Sequence, residues 1–304
     1  MIMNRKYGPH LYRFKHALLL ALLGLIHAHT QARSLSEIIK SKELRVCVVA
    51  YHPDFIRAEP ENCRGNCKFS GLVFEEIQVF SKFLGPQIQA KFLRLDWDEQ
   101  FFNKNSEVVR NGIYTPELLA SGKCDVYPNN LTRNEWRLKK LDIIYLFPSR
   151  MMAIVNKSKQ KEYKNLHDLA GKIAAVDKDT SYHTWLGEQN QTGFKENPVK
   201  IQIISTHESF VAVDSGKVDF TLADSDLAIS ATQHELKNSS VSFPVGPTEE
   251  IGWGFRKQDR DLQAAAQRFF EDQKERENSE FNQLWKKHFG INLIKFIALV
   301  KSTP

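Results

Sequence analysis

The sequence predicts an α/β protein of two lobes, each a mostly parallel sheet flanked by helices, joined by two extended crossovers that act as a hinge. Three observations lead there. Strand-like and helix-like patterns alternate through most of the chain, which is how parallel strands connected by helices read in one dimension. One unit is used twice: helix, Ser-Gly-Lys, Asp, strand occurs as ASGKCDVY at 120–127 and as DSGKVDFT at 214–221. Two apolar stretches lack helical spacing, Ile143 to Asn156 (IIYLFPSRMMAIVN) and Val241 to Arg256 (VSFPVGPTEEIGWGFR), and suit segments that leave one lobe and return to it.

The chain opens with a basic start, Arg5, Lys6, Arg13 and Lys15, and an uncharged run from Ala17 to Ile26 that is too short to span a bilayer. Small residues Thr30 and Ala32 then stand three and one positions before a cut after Ala32. This predicts a signal peptide at 1–32, a periplasmic destination and no lipid attachment, since no cysteine follows the run. The alternative for this segment is a retained anchor helix. Cleavage removes four basic residues and no acidic one, taking the formal charge from +6 to +2. So balanced a surface gives no reason to expect nucleic acid or an anionic membrane as a partner.

The first series follows. Leu44 to Ala50 (LRVCVVA) reads as a strand, Leu72 to Leu84 as a helix stopped by Gly85, and Ala90 to Leu95 as a second strand. Thr115 to Ser121 reads as a helix closed by Gly122, with a short strand from Cys124 to Pro128. The second series has a small helix at Leu166, strands Lys172 to Val176 and Ile201 to Ile204, a helix Ser209 to Ser215 closed by Gly216, and a strand Val218 to Ala223. A final helix, Arg260 to Phe289 with Trp285, packs back on the first unit. The expected lobes are therefore 33–147 with 247–304, and 148–246.

Cys47, Cys63, Cys67 and Cys124 form an even set in a chain sent to an oxidising compartment, which favours disulfides over metal binding. A Cys63–Cys67 bridge pins a loop with little core of its own. Cys47 and Cys124 sit at strands of the same lobe, and either a bridge or two buried thiols fits them.

The order and spacing of LRVCVVAYHPDF, GLVFEEI, GKCDVYPNNLTRNEWR, DLAGKIAAVDKDTSY, GKVDFTLADSD, GWGFRKQDRDL and FNQLWKKHFG resemble the extracellular solute-binding proteins that feed polar amino acids to ATP-driven importers. The likeness spans roughly residues 42–290 and implies a type II periplasmic-binding-protein fold. It also implies an amino-acid-like ligand captured by domain closure, an inner-membrane permease as docking partner, and a monomer. In the family's pattern Arg137 clamps the ligand carboxylate, helped by Thr132 and Asn130. A guanidinium suits that task because its planar fork offers two parallel charge-assisted hydrogen bonds. Thr180 and Ser181 open the facing helix, where free N–H groups suit an anion. Asp179 departs from the family there, adding charge and a Cβ where a glycine is usual. Asp224 matches the acidic partner of the ligand ammonium, with Asp226 as its near competitor. Tyr51, His52, Phe55 and Trp97 are the candidate rings for the ligand side chain, the alignment at Tyr51 and His52 being open by one position. The long polar segment from Trp97 to Tyr114 suits a cover for the cleft mouth.

Enzyme chemistry is not expected: no metal-ligand spacing, glycine-rich phosphate loop or Gly-x-Ser-x-Gly elbow is present, and neither catalytic residue, metal nor cofactor is implied. Two alternatives remain. The stretch KVDFTLADSDLAISATQHEL also resembles the ligand-sensing half of membrane-bound lytic transglycosylases, which would make the chain a stand-alone sensor of peptide or cell-wall fragments. The Cys47 and Cys124 positions resemble binding-protein-like accessory proteins of periplasmic dehydrogenases.

Overall fold

The computed structural model describes residues 33–302, so the predicted signal peptide lies outside the described residues. The chain enters through α1 (Leu35–Ser41), opened by a capping box in which Ser34 and Glu37 bond each other's backbone N–H groups. Then come β1 (Glu43–Val49), the short antiparallel pair β2 (Arg57–Glu59) and β3 (Lys68–Ser70), α2 (Leu72–Leu84) and β4 (Gln89–Leu95). They are followed by α3 (Glu117–Ala120), β5 (Tyr127–Thr132), α4 (Glu135–Leu138) and the long β6 (Asp142–Asn156). The second series is β7 (Ile173–Val176), α5 (Ser181–Gln191), β8 (Lys200–Ile203), α6 (Thr206–Asp214), β9 (Phe220–Asp224) and α7 (Ser225–His234). The return strand β10 (Ser239–Phe255) leads to α8 (Arg260–Glu275), α9 (Glu280–Phe289) and α10 (Leu293–Ser302).

Pairing divides these elements into two halves. In the first, β1 runs parallel to β4 from Glu43↔Gln89 to Val49↔Leu95, and Val46 bridges in parallel to Val126, just ahead of β5. In the second, β7 is parallel to both β8 and β9. The two crossovers tie the halves together: β10 lies antiparallel to β5 and β6, and β6 antiparallel to β9, giving the order β5-β10-β6-β9-β7-β8. The antiparallel pairs in the larger sheet thus all involve a crossover strand.

Three expectations shift in detail. The helix expected over 115–121 is the single turn α3, because Pro116 stands at its N-cap and Gly122 takes a left-handed φ of 69° that ends it. The adjoining strand starts later than expected and runs on to Thr132. The terminal helix divides: Arg276 turns extended, Ser279 caps α9 by accepting from Asn282 N–H, and Asn282 donates to the carbonyls of Gln273 and Arg276. Beyond it, Leu293, Phe296 and Val300 form a helical stripe that buries α10 against β6.

The first half is built on Val46, Val48, Ile77, Phe80, Trp253, Phe269 and Trp285, all fully buried. Within it Trp285 Nε1 donates to Glu76 Oε1 at 2.9 Å, and burial pushes the Glu76 carboxyl well above its ordinary range. The second half is centred on Val155, Leu169, Ala174, Leu186 and Phe220. Both cysteine pairs are bridged. Cys47 on β1 and Cys124, three residues ahead of β5, have Cα atoms 5.7 Å apart, and Cys63 and Cys67 close their loop at 5.6 Å. Among the described residues no helix is long and apolar enough to cross a membrane.

Candidate functional site

Strand ends of both halves deliver side chains to one cleft. Beyond β5, Asn134 caps α4 and its Oδ1 accepts from Arg137 N–H at 3.2 Å, which turns Arg137 back toward the strand end. Arg137 is 1% exposed. Its Nη1 donates to Thr132 O at 3.1 Å and its Nη2 crosses to Asp179 O at 3.4 Å. Its guanidinium carbon lies 5.7, 5.3 and 5.4 Å from the ring centroids of Trp97, Phe101 and Trp136. Burial lowers its pKa to about 10, while Glu249 and Asp224 pull the other way, so it stays charged at neutral pH.

From the second half, β9 ends at Asp224, which occupies the N-cap position of α7 without a side-chain cap bond. Its carboxylate therefore does not cap that helix. Tyr182 OH donates to Asp224 Oδ2 at 3.1 Å and accepts from Asp224 N–H at 3.0 Å. Asp226 lies beside it, with Asn130 Nδ2 donating to its Oδ2 at 3.4 Å. Burial raises both carboxyls, and Arg137 draws Asp224 partly back. Asp224 Oδ1, Asp226 Oδ1, Asn130 Oδ1 and Arg137 Nε are buried without a hydrogen-bond partner among the described residues. Buried polar atoms in that state are a standing demand for a partner.

The cleft encloses a cavity of about 30 Å³, little more than the room of a water, because side chains of the two halves already meet across it. Of the residues singled out in the sequence, Tyr51, Trp97, Asn130, Thr132, Arg137, Thr180, Ser181 and Asp224 line it. Thr180 caps α5, its oxygen accepting from His183 N–H and its hydroxyl donating to Asp177 O at 2.7 Å, so it shapes the helix start rather than offering a free hydroxyl.

His52 and Phe55 do not line the cleft. Phe55 is fully buried, 5.3 Å from the Phe289 ring. His52 packs edge-on to Phe55 and Phe210, with Nε2 3.1 Å from Glu235 Oε2. The bend that follows β1 turns Tyr51 to the cleft and His52 inward. The sequence reading missed Asn129, Tyr182, Thr206 and Leu227, which also line the site, and Glu249, whose half-buried carboxylate acts on both Asp224 and Arg137. Tyr182 directly follows the singled-out Ser181, a signal that was present. Glu249 sits mid-crossover, where nothing marks it.

Tyr51, Trp97 and Thr206 also border a larger outer chamber of about 820 Å³. Glu59, Glu61, Asp96, Asp98, Asp177 and Glu208 line it against Arg57, Arg94 and Lys178. Among the described residues no group of three or more His, Cys, Asp or Glu is arranged to hold a metal ion.

No protein-family model matches the sequence. Curated relatives that match are named membrane-bound lytic murein transglycosylase F. One from Methylobacillus flagellatus is 26% identical over 197 residues, covering 64% of this chain and 38% of the relative. Another, from Desulfosudis oleivorans, is 28% identical over 232 residues, covering 76% of this chain and 47% of the relative. The chain thus spans less than half the length of those relatives. Among solved structures, an ancestral amino-acid-binding protein, a precursor of cyclohexadienyl dehydratase, superposes with a TM-score of 0.66 at 22% identity over 84% of this chain and 98% of that one. An ancestral arginine-binding protein bound to arginine gives 0.65 at 23% over 82% and 99%. A structure concerned with glutathione import via GshT and a cystine importer of Streptococcus mutans gives 0.67 at 19% over 83% and 96%. The two resemblances read from the sequence, to amino-acid-binding proteins and to the transglycosylases, both have counterparts here.

Proposed function

We propose that this chain, which has the type II periplasmic-binding-protein fold, captures an α-amino acid in the periplasm by closing two lobes, 33–147 with 247–304 and 148–246, around it. One observation carries the reading. A buried guanidinium from the first half, Arg137, and a buried carboxylate from the second, Asp224, face one cleft with unsatisfied polar atoms, the arrangement a zwitterion completes. The ligand carboxylate joins Arg137 and Thr132, and its ammonium joins Asp224 and Asp226. Only the shut form makes both sets of contacts, so binding shifts the population toward closure. The reading contains no catalytic step, and an inner-membrane permease would receive the ligand.

The ligand side chain passes Tyr51 and Trp97 toward the outer chamber, whose excess of carboxylates supports a basic side chain. The arginine-bound ancestral neighbour is in keeping with that. The test is calorimetry of the mature chain with the twenty L-amino acids and with L-citrulline, the neutral counterpart of arginine. L-Arginine is expected to bind at least tenfold more tightly than citrulline, and Arg137→Ala to weaken binding at least thirtyfold, about 2 kcal/mol. Normal amino-acid binding by Arg137→Ala would remove the reading.

The names of the curated relatives favour a second one, a sensing module for peptide or cell-wall fragments. Adjacent permease and ATPase genes support transport, whereas an adjacent sensor or wall enzyme supports sensing.

A further inference from the structure

We infer that Arg110 and Asp179 form a clasp between the halves that keeps the carboxylate-binding end of the cleft cationic, which makes Arg110 a positioning residue although it does not line the cleft. The inference rests on the proposed role of Arg137 and adds a partner that the site's own residues do not include.

Asp179 is 5% exposed and left-handed, with φ 58°, a conformation glycine adopts without steric penalty. It keeps the backbone a glycine would have and adds a carboxylate. Its carbonyl accepts from Arg137 Nη2 at 3.4 Å and its N–H donates to His183 Nδ1 at 3.3 Å, so the residue is built into the clamp. An uncompensated anion at that place repels a ligand carboxylate held by Arg137. Arg110 supplies the compensation from the opposite half: its Nη1 donates to Asp179 Oδ1 at 3.2 Å and its Nη2 to Thr184 Oγ1.

Arg110 is itself held in place. It lies on the segment between β4 and α3 that the sequence marked as a cover for the cleft. Lys140 Nζ donates to the carbonyls of Arg110, Gly112 and Trp136 at 2.8, 3.2 and 3.1 Å, and the Arg110 guanidinium sits 4.7 Å from the Trp136 ring centroid. Trp136 also flanks Arg137, so both guanidinium groups share one ring. The clasp spans the two halves, so its ion pair holds them together around the cleft in the ligand-free structure as well.

The test combines calorimetry on the mature chain, using the tightest binder among the twenty L-amino acids, with thermal unfolding of the ligand-free chain. Arg110→Ala is expected to weaken binding at least tenfold. Adding Asp179→Gly, which keeps the left-handed backbone while deleting the anion, is expected to restore affinity to within threefold of the parent. Arg110→Ala with less than a twofold effect, or a double variant no better than the single, overturns the clasp. If none of the twenty binds, the proposed function fails instead, and the melting points of parent, Arg110→Ala, Asp179→Gly and the double variant decide. A non-additive difference of 3 °C or more supports the clasp, and additive shifts overturn it.

Discussion

At the scale of single residues, Asp177 shows how the cleft couples to acidity. It stands between β7 and α5, where burial raises its carboxyl to about 6 from an ordinary 3.8 and Asp98, across the outer chamber, pushes the same way. Between those two values the folded chain binds more protons than the unfolded chain, so this group's contribution to stability falls as pH rises from about 4 to about 6. The displacement corresponds to at most about 3 kcal/mol, so Asp177→Asn is expected to flatten the loss of stability across that window. Urea unfolding at pH 4 and pH 7 reads it, and parallel pH profiles for parent and variant would refute it. Arg137 and Asp224 were legible in the sequence because each follows a copy of the repeated unit and their chemistry is complementary. The rings were less so. Tyr51 and His52 are adjacent aromatic residues just beyond a strand, and the bend there, which no local pattern announces, decides which one meets the cleft.

At the scale of elements, the crossovers are the least forgiving part of the chain. Gly252 on β10 pairs with Tyr145 on β6, and a Cβ there would stand 1.9 Å from the carbonyl oxygen of the preceding Ile144, inside backbone that cannot yield. Gly252→Ala is expected to destabilise the chain by about 3 kcal/mol or more, the cost of overpacking two paired strands. A melting point unchanged to within 2 °C would show that the ladder relaxes. The two copies of the Ser-Gly-Lys unit and the apolar crossovers announced the α/β layout. What stayed hidden was set by capping and long-range packing. Ser279 divides what composition alone makes one helix, and the Leu293, Phe296 and Val300 stripe becomes a helix because Phe147 and Trp285 offer it a surface.

At the scale of the whole molecule, the two disulfides constrain unequal amounts of unfolded chain. Cys47–Cys124 closes 77 positions and Cys63–Cys67 closes 4. Loop-closure entropy then assigns about 4 to 5 kcal/mol to the first and about 2 kcal/mol to the second. Cys47→Ala with Cys124→Ala is expected to cost at least twice as much stability in urea as Cys63→Ser with Cys67→Ser. Equal costs would mean that the unfolded chain already holds β1 near β5. The Cys63–Cys67 loop follows Glu59, Glu61 and Asn62 at the edge of the outer chamber, so loss of its bridge is expected to act more on ligand preference than on folding.

β6 and β10 stay paired from Asn156↔Ser239 to Asp142↔Phe255 with three shifts of register: at Ser242, at Leu146, and most widely where Gly246 and Pro247 loop out opposite the step from Arg150 to Met151. A double-stranded strip bends and twists most easily at its widest interruption, whereas sliding lengthwise would break the ladder on both sides. That widest interruption adjoins Met151, which pairs directly with Asp224. On the proposed reading, a ligand's pull on that carboxylate acts close to this pivot, so a small displacement there is carried to the far rims as a larger one.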